Sequence, residues 1–374
     1  MRIVSFKEDF AVSFAKSSGT HVFPIKANEP YVFSNGQIQR LFIDQPGSED
    51  KVLRITQLEG RLVNFNAQAY RSGSVMIYNG CGGYGDQIMT MPVAKILTQL
   101  GYDVHVLVDP GNGVCWDAID FIKTVIPVPC HLNMFNLATY HIIYEIVTNN
   151  DEHPGQLHPV DTMLKRIGLD PMAFTPAEKT FRVGVLPEER AAVAALTEGK
   201  PYGVFQLSSA SPARSLTADK SAFMLRNLAV KFPDLEWYAL YDGFIPMTYL
   251  QAAKVEMPPN VFPISFPKFR EVFALIEGAQ VCICPDSMVA HAAGSMNVPC
   301  VGLWGPTDPH LRVEYYGNHV ALSSRASCPV SPCLVHRGAL PPPFCPSLAR
   351  RVCACVDDIE PSDILDAVQK ILGT

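Results

Sequence analysis

The spacing of hydrophobic and polar residues changes at about residue 73. Before that point, apolar residues fall in short runs, such as residues 10–14 and 39–43, between turn-forming pieces rich in Gly, Pro, Asn and Ser. Short apolar runs bounded by turn residues are typical of β-strands. We therefore predict a small β-rich module over residues 1–72, and its residues indicate no particular chemistry.

Beyond this module, short apolar strands alternate with helical patterns. An apolar run at residues 75–78 precedes an amphipathic segment, and a second series of the same kind begins at residues 202–206. Alternation of strands and amphipathic helices predicts parallel βαβ units. The predicted fold class is α/β, with one Rossmann-like domain over residues 73–195 and another over 196–374 facing it across a cleft. A final helix at residues 361–372 is expected to cross back onto the first domain.

Composition narrows the class of protein further. The chain has 374 residues, of which 48% are hydrophobic and 18% are charged, so it can build two or three domain cores and is too apolar to be disordered. A net charge of −6 disfavours binding of nucleic acid or anionic membranes through bulk charge, although a local basic groove stays open. No apolar run reaches about 18 residues and no signal core lies near the start, so we expect no membrane span and a cytoplasmic location.

A glycine-rich turn joins the first predicted strand of the Rossmann-like region to its helix. Gly80, Gly82 and Gly85 have the spacing of the dinucleotide-binding fingerprint, and Asp109 ends the next strand, where a ribose-binding carboxylate would lie. Asp86, however, stands in the first helical turn, where its carboxylate would compete with a pyrophosphate for the positive helix end. An NAD-dependent oxidoreductase therefore stays open, beside a turn that presents Asp86 to a substrate and a purely structural turn.

Two separated segments carry motifs of a known family. The first is Gly82-Gly-Tyr-Gly-Asp-Gln-Ile-Met-Thr-Met-Pro92, and the second is Asp286-Ser-Met-Val-Ala-His-Ala-Ala-Gly, followed by Trp304-Gly-Pro-Thr-Asp-Pro309. In content, order and spacing they resemble glycosyltransferase family 9, the heptosyltransferase-like enzymes with the GT-B fold, over about residues 73–372. The resemblance implies an inverting glycosyltransferase that moves a sugar, heptose by family default, from a nucleotide-diphosphate sugar to an acceptor hydroxyl.

The resemblance makes Asp86 the candidate general base. In the family the corresponding Asp activates the acceptor hydroxyl for in-line displacement at the anomeric carbon. A carboxylate at a helix N-terminus is expected to stay ionised at neutral pH, which suits a proton acceptor within hydrogen-bond reach of its substrate. The neighbouring candidates for substrate binding are Gly83, Gly85 and Gln87.

The second Rossmann-like domain contains the predicted donor site. A diphosphate leaving group can be stabilised by the N–H groups at a helix N-terminus and by a cation, which Arg214 would supply. Asp286 begins a predicted helix, where an ordinary N-cap is the alternative interpretation, and a buried core histidine is the alternative for His291. The donor-binding candidates are Ser208, Ser209, Arg214, Asp286, Ser287, Met288, His291, Gly305, Thr307 and Asp308.

The sequence departs from the family pattern at two places in this domain. Leu216 and Thr217 stand where the family has a Trp-Pro pair, and Met288 replaces the glycine that follows the Asp-Ser pair. Only one basic residue falls in register in the first of these segments. The departures leave the sugar-nucleotide contacts open and are compatible with an altered donor.

The eleven cysteines divide into two groups. Six are scattered and are expected to be buried apolar residues, whereas five lie between residues 328 and 355. Close-set thiols in a reducing compartment favour a structural zinc or iron site, and reduced or disulfide-paired structural cysteines are the alternative. The resemblance extends to the family subset that glycosylates autotransporters, which has an iron-binding cysteine finger and a β-rich N-terminal extension. The candidate ligands are Cys328, Cys333, Cys345 and Cys353, with Cys355 as a substitute.

The resemblance leaves the partners of the enzyme open. ADP-heptose is the expected donor, and the acceptor hydroxyl belongs to a glycolipid, a protein or a modified nucleic acid. Transfer is expected to need no cofactor, and a homo-oligomer is compatible with the sequence. A non-catalytic protein that binds a nucleotide or a glycan is the remaining alternative.

Overall fold

The computed structural model contains two compact units. One comprises Met1–Pro154 and Pro159–Phe181, and the other comprises Gly155–His158 and Arg182–Thr374. The residues described in the structure are 1–16, 19–58, 64–67, 72–80, 83–144, 157–209, 214–241, 257–265, 268–324, 328, 331–333 and 353–373.

The N-terminal part of the first unit is rich in strands. Its elements are β1 (Arg2–Phe6), β2 (Phe10–Lys16), β3 (Gly19–Ile25), β4 (Tyr31–Phe33), helix α1 (Asn35–Asp44) and β5 (Val52–Gln57). Strand β1 pairs antiparallel with β4 and β5, and β2 forms a hairpin with β3. Phe6, Phe14 and Phe33 are buried together in one apolar cluster of this module.

Helix α1 lies where the apolar pattern predicted a strand over residues 39–43, and that prediction is wrong. Ser34 caps the helix, because its Oγ accepts a hydrogen bond from Gln37 N at 3.1 Å while Gln37 Oε1 accepts one from Ser34 N at 2.9 Å. This capping box satisfies amide groups that a new helix leaves unpaired. Ile38 and Leu41 then share one face, which packs in the apolar cluster of the module. A short apolar run alone does not distinguish a strand from a helix.

A four-stranded parallel sheet forms the rest of the first unit's core. Its elements and connections are β6 (Gly73–Asn79), α2 (Tyr84–Gln99), β7 (Tyr102–Val108), β8 (Thr124–Pro127), β9 (Cys130–His131), β10 (Tyr140–Tyr144) and α3 (Pro159–Arg166). The strand order is β10-β6-β7-β8, whereas β9 pairs with β4 and extends the N-terminal sheet. Met1 and Ile3 of the module pack with Met76 and Tyr78 of this sheet. The module therefore shares a core with the first parallel sheet.

The second unit is built on a six-stranded parallel sheet of order β13-β12-β11-β14-β15-β16. Its strands are β11 (Tyr202–Gln206), β12 (Glu236–Leu240), β13 (Val261–Ile264), β14 (Val281–Pro285), β15 (Cys300–Leu303) and β16 (His319–Leu322). Its helices are α4 (Pro187–Thr197), α5 (Ala218–Lys231), α6 (Glu271–Gly278), α7 (Met288–Ser295), α8 (His310–Val313), α9 (Ala354–Asp357) and α10 (Pro361–Leu372). All pairings in this sheet are parallel, as the strand–helix alternation predicted.

The final helix α10 packs with the second unit. Its buried residues Ile364 and Val368 belong to the apolar cluster that also contains Trp237 and Ile283. That it crosses back onto the first domain stays a prediction. None of the described helices is both long and apolar enough to span a bilayer.

Candidate functional site

Asp86 lies in the first turn of α2, directly after strand β6. The N-cap of the helix is Gly83, with φ −97° and ψ 147°, and it offers no side chain to the free amides of the first turn. A Cβ atom on Gly83 would lie 2.8 Å from Asp86 Oδ2, so the carboxylate lies against the glycine backbone. The glycine turn thus makes room for the Asp86 carboxylate at the positive end of the helix.

Gln87, predicted to bind substrate, is fully buried. Its Nε2 donates to the carbonyl oxygen of Asn79 at 3.1 Å, and its Oε1 accepts from Trp116 Nε1 at 3.1 Å. The side chain therefore lies behind the helix start rather than at its open end. Gly85, also predicted to bind substrate, is partly exposed in the first helical turn.

One glycine and the carboxylate of the dinucleotide fingerprint are placed by local packing. A Cβ atom on Gly80 would lie 2.7 Å from the Tyr78 ring, so a glycine is required for that ring to fit. Tyr78 Oη donates to Asp109 Oδ1 at 3.3 Å. Gly82 lies outside the described residues. Gly80 and Asp109 therefore have structural roles that do not require a bound dinucleotide.

In the second unit, Asp286 follows β14 and lies two residues before α7, whose N-cap is Ser287. It is buried, its Oδ2 accepts a hydrogen bond from Thr307 Oγ1, and Arg214 Nη1 lies 3.4 Å from the same oxygen. Burial favours the neutral acid, but Arg214, Arg312 and the Thr307 hydroxyl outweigh it and hold the pKa of Asp286 below its ordinary value. Asp286 is therefore a buried carboxylate whose charge is compensated by arginines.

His291 lies one turn into α7 and is buried. Burial lowers its pKa to about 3, with the positive charge of Arg312 acting in the same direction against the opposing effect of Asp286. The hydroxyl of Tyr316 lies 3.4 Å from His291 Nδ1. The imidazole is therefore neutral at physiological pH, and its surroundings are those of a core histidine.

One of the hydroxyl groups predicted to hold phosphate, that of Ser287, is engaged within the protein. Ser287 Oγ donates to Gln206 Oε1, and Ser209 N donates to Ser215 Oγ at 3.0 Å. Ser208 and Ser209 are both buried near the end of strand β11. Met288, which replaces a family glycine, is the first residue of α7.

The loop after β15 brings one of its three predicted residues to Asp286. Thr307 makes the hydrogen bond to the carboxylate, whereas Asp308 Oδ1 accepts from His310 N at 3.1 Å at the start of α8. Gly305 is buried at the start of the same loop. Asp308 thus caps the start of α8, whereas Thr307 contacts the Asp286 carboxylate of the candidate site.

Two residues of this cluster were not predicted as site residues. Arg312 lies near enough to influence both Asp286 and His291 electrostatically, and Gln206 accepts the Ser287 hydroxyl. The available signal for Arg312 was its position four residues after Asp308, one turn into the following helix. Lys220, the second cation near Arg214 in the sequence, instead donates to the carbonyl oxygen of Asp357.

The cysteine-rich segment brings three thiols together. Cys355 contacts Cys353 and Cys328, and all three are buried in the apolar cluster of the second unit. The hydrogen bond with Cys353 and then burial raise the pKa of the Cys355 thiol. Cys333 is half-buried, and Cys345 lies outside the described residues. Within the described part of the chain, no group of three or more His, Cys, Asp or Glu side chains is arranged to hold a metal ion.

Sequence comparison locates a family match in the second unit. Residues 266–340 match the model of glycosyltransferase family 9 (heptosyltransferase). A segment of 60 residues is 35% identical to lipopolysaccharide heptosyltransferase 1 of Pseudomonas aeruginosa. That segment spans 16% of this chain and 16% of the length of the curated relative.

Solved structures extend the similarity in fold to most of the chain. ADP-heptose lipopolysaccharide heptosyltransferase II of E. coli has a TM-score of 0.61 at 12% identity, covering 80% of this chain and 98% of its own. A family 9 glycosyl transferase from Veillonella parvula has a TM-score of 0.60 at 13% identity, with coverages of 80% and 97%. The iron-containing dodecameric heptosyltransferase TibC of enterotoxigenic E. coli has a TM-score of 0.57 at 13% identity and covers 100% of this chain and 93% of its own.

The two parallel-sheet units and these structural neighbours define a protein of the GT-B class. The predicted α/β fold with an N-terminal β-rich module is thereby confirmed. The sequence match over residues 266–340 is to glycosyltransferase family 9, the family that the motif at residues 286–309 predicted.

Proposed function

We propose that the protein is an inverting glycosyltransferase that uses a nucleotide-diphosphate sugar. The observation that carries this proposal is the cluster of Arg214, Asp286 and Thr307 at the start of α7. A buried carboxylate beside a guanidinium and a helix N-terminus is suited to hold the sugar hydroxyls and the phosphates of one donor molecule. The match of residues 266–340 to glycosyltransferase family 9 supports the same reaction class.

The charges of this cluster suit a diphosphate leaving group. Arg214 and Arg312 supply positive charge, and the free amides at the start of α7 add donors for phosphate oxygens. Arg214 Nε is buried and has no hydrogen-bond partner among the described residues, so the guanidinium can take an additional acceptor. Departure of the nucleotide diphosphate then needs no metal ion in this proposal.

Asp86 is the proposed general base of the first unit. Its carboxylate would accept the proton of the acceptor hydroxyl as that oxygen bonds to the anomeric carbon and the nucleotide diphosphate leaves, which inverts the configuration. Gly83 and Gly85 would give the acceptor close access to the helix start. Gln87 would support the start of α2 through its hydrogen bonds to Asn79 and Trp116 and would not contact the substrate.

ADP-heptose is the proposed donor. TibC was solved in complex with ADP-D-beta-D-heptose, and heptosyltransferase II of E. coli is described as an ADP-heptose enzyme. The acceptor hydroxyl belongs to a glycolipid, a protein or a modified nucleic acid, and a cytoplasmic location stays a prediction. Radiolabelled ADP-heptose added to lipid, protein and nucleic-acid fractions would identify which of these becomes labelled.

ADP and ADP-heptose are expected to raise the melting temperature of the protein. A ligand that binds only the folded state at about 100 times its Kd stabilises it by about 2.7 kcal/mol. Replacement of Arg214 by Met should abolish most of this shift, whereas Arg226→Met, an exposed change on α5, should retain it. A thermal-shift screen of ADP, UDP, ADP-heptose and NAD measures this directly.

The outcome of that screen separates the three classes of function. Stabilisation by NAD without a response to ADP or UDP would contradict the proposal in favour of an oxidoreductase using Gly80, Gly82 and Gly85. Stabilisation by ADP-heptose without turnover in any labelled fraction would favour a non-catalytic binding protein.

We also propose that the cysteine-rich segment holds a structural zinc or iron ion. The convergence of Cys328, Cys353 and Cys355 supports this proposal, since thiolates are the ligands that both metals prefer. Cys333 and Cys345 are the further candidate ligands. TibC, the neighbour that covers the whole chain, is described as iron-containing and dodecameric, which also makes self-association a proposal for this chain.

Purified protein is expected to contain about one zinc or iron ion per chain. Cys333→Ser should reduce that content, while Cys130→Ser, a buried change in the first unit, should not. Elemental analysis combined with gel filtration measures both metal content and assembly. Metal-free wild-type protein with unchanged stability in a chelator would leave the thiols as structural core residues.

A further inference from the structure

Four polar side chains are buried behind the N-terminal turns of α2. Asn79, Gln87, Thr90 and Trp116 are each at most 3% exposed. They come from the end of β6, from the first two turns of α2, and from the turn after β7. Polar groups in a core lower stability unless they are hydrogen-bonded, so their partners are informative.

Two of these side chains donate hydrogen bonds to the backbone carbonyl of Asp86, and the other two connect to it through Asn79. Asn79 Nδ2 donates to the Asp86 carbonyl oxygen at 3.2 Å and to Thr90 Oγ1 at 2.7 Å. Thr90 Oγ1 donates to the same carbonyl oxygen at 2.8 Å. The Asp86 carbonyl oxygen therefore accepts hydrogen bonds from two side chains in addition to its place in the helix backbone.

Groups that can only donate or only accept a hydrogen bond determine the direction of every hydrogen bond in this network. The Trp116 indole N–H can only donate, so Gln87 must present Oε1 to it and Nε2 to the Asn79 carbonyl. The Asp86 carbonyl can only accept, which sets the orientation of the Asn79 amide. A network with one consistent arrangement restricts the backbone more than apolar packing of the same volume would.

We propose that Asn79, Gln87, Thr90 and Trp116 are positioning residues for the Asp86 carboxylate. The inference rests on the proposed role of Asp86 as general base. The network holds the first turn of α2, and Gly83 leaves the space into which the carboxylate folds. A base must lie within hydrogen-bond reach of its proton, and a displacement of about 1 Å lowers the rate by up to about 10²-fold.

Thr90→Val tests this proposal with Thr90→Ser as the matched control. Valine has nearly the shape of threonine but removes the hydrogen bonds that Thr90 makes with Asn79 and with the Asp86 carbonyl oxygen, whereas serine keeps the hydroxyl. We expect crystal structures to show a displaced or disordered Asp86 carboxylate in Thr90→Val and an unchanged one in Thr90→Ser. Trp116→Phe removes the indole N–H that bonds to Gln87 and should also displace the Asp86 carboxylate. This variant replaces Thr90→Val in the test if Thr90→Val does not fold.

The kinetic arm uses hydrolysis of ADP-heptose, with water in place of the unidentified acceptor. Thr90→Val should lower kcat by about tenfold or more with KM for ADP-heptose unchanged, and Thr90→Ser should restore kcat. In an Asp86→Ala background the Thr90→Val change should have no further effect, because it acts through Asp86.

An Asp86 carboxylate in its wild-type position in both Thr90→Val and Trp116→Phe would overturn the positioning proposal. An equal loss of kcat with and without Asp86 would also overturn it. Wild-type turnover in Asp86→Asn would remove the proposed base instead, and the crystal structures of the Thr90 variants would still decide whether the network positions that residue.

Discussion

Asp86→Asn is expected to lower sugar transfer from ADP-heptose by about 10²–10⁴-fold, the usual contribution of a general base. Asparagine keeps the size of the side chain and can still lie against Gly83, but its amide cannot accept the proton of the acceptor hydroxyl. The loss should appear in kcat, since Asp86 lies in the first unit and the proposed donor cluster lies in the second. Initial rates of ADP release with the labelled acceptor fraction measure it.

The control for this prediction is a second carboxylate of the same unit. Asp103 forms an exposed ion pair with Lys123 at 3.2 Å, and its side chain is 62% exposed. Asp103→Asn should therefore keep transfer within about twofold of wild type, since exposed ion pairs contribute about 0–1 kcal/mol. Both variants should retain the thermal shift with ADP. Wild-type turnover in the Asp86→Asn enzyme would show that a group other than Asp86 accepts the proton of the acceptor hydroxyl.

Acidification from pH 7 to pH 5 is expected to destabilise the second unit by about 4 kcal/mol, about 2 kcal/mol from each of two buried histidines. Burial lowers the pKa of His291 to about 3 and that of His319 to about 4. In the unfolded chain both take up a proton below about pH 6.5, whereas in the folded protein they stay neutral. Stability is therefore present above pH 6.5 and is lost as the pH falls toward the folded pKa values.

Burial disfavours the charged form of His319, and a hydrogen bond to its ring acts in the same direction. Trp304 Nε1 donates to His319 Nε2 at 3.2 Å, and a protonated ring nitrogen could not accept that bond. The lowered pKa of Asp286 acts in another range, because its stabilisation is lost only below its ordinary value near 3.8. The window from pH 7 to pH 5 therefore separates the two histidines from Asp286 in the second unit, while His105, whose pKa burial also lowers, lies in the first unit.

Urea unfolding at several pH values, followed by tryptophan fluorescence, measures this effect, since two of the three tryptophans lie in the second unit. His319→Gln should remove about half of the pH dependence. His310→Gln, a change at an exposed position on α8, should leave it unaltered. A free energy of unfolding that is flat between pH 7 and pH 5 in the wild type would contradict the prediction.

The architecture was largely predictable because it depends on local periodicity. Apolar strands alternating with amphipathic helices indicate parallel βαβ units whatever the later packing, and both parallel sheets formed as expected. The exception, α1, depended on the pairing of Ser34 with Gln37, since a short apolar run fits either element. For the final helix, the sequence periodicity predicts which face is apolar but does not predict which surface of the protein covers that face.

The site was predictable in composition and less so in arrangement. The motif around Asp286 and Thr307 was visible in the sequence, and these residues do meet in the second unit. Gln87 stands beside Asp86 in the motif but turns into the core, because Trp116 and Asn79 provide its partners. Arg312 had no motif to mark it and reaches the cluster only because α8 follows the loop that carries Thr307.

By itself, the sequence determined the fold class, the family motifs and the residue types available for chemistry, because these depend on near neighbours in the chain. The tertiary structure decided which polar groups are buried and what they contact. It placed Cys328 beside Cys353 and Cys355, and it placed Trp116 against Gln87. Such contacts join residues far apart in the chain, so they are set by how the elements pack and not by spacing along the sequence.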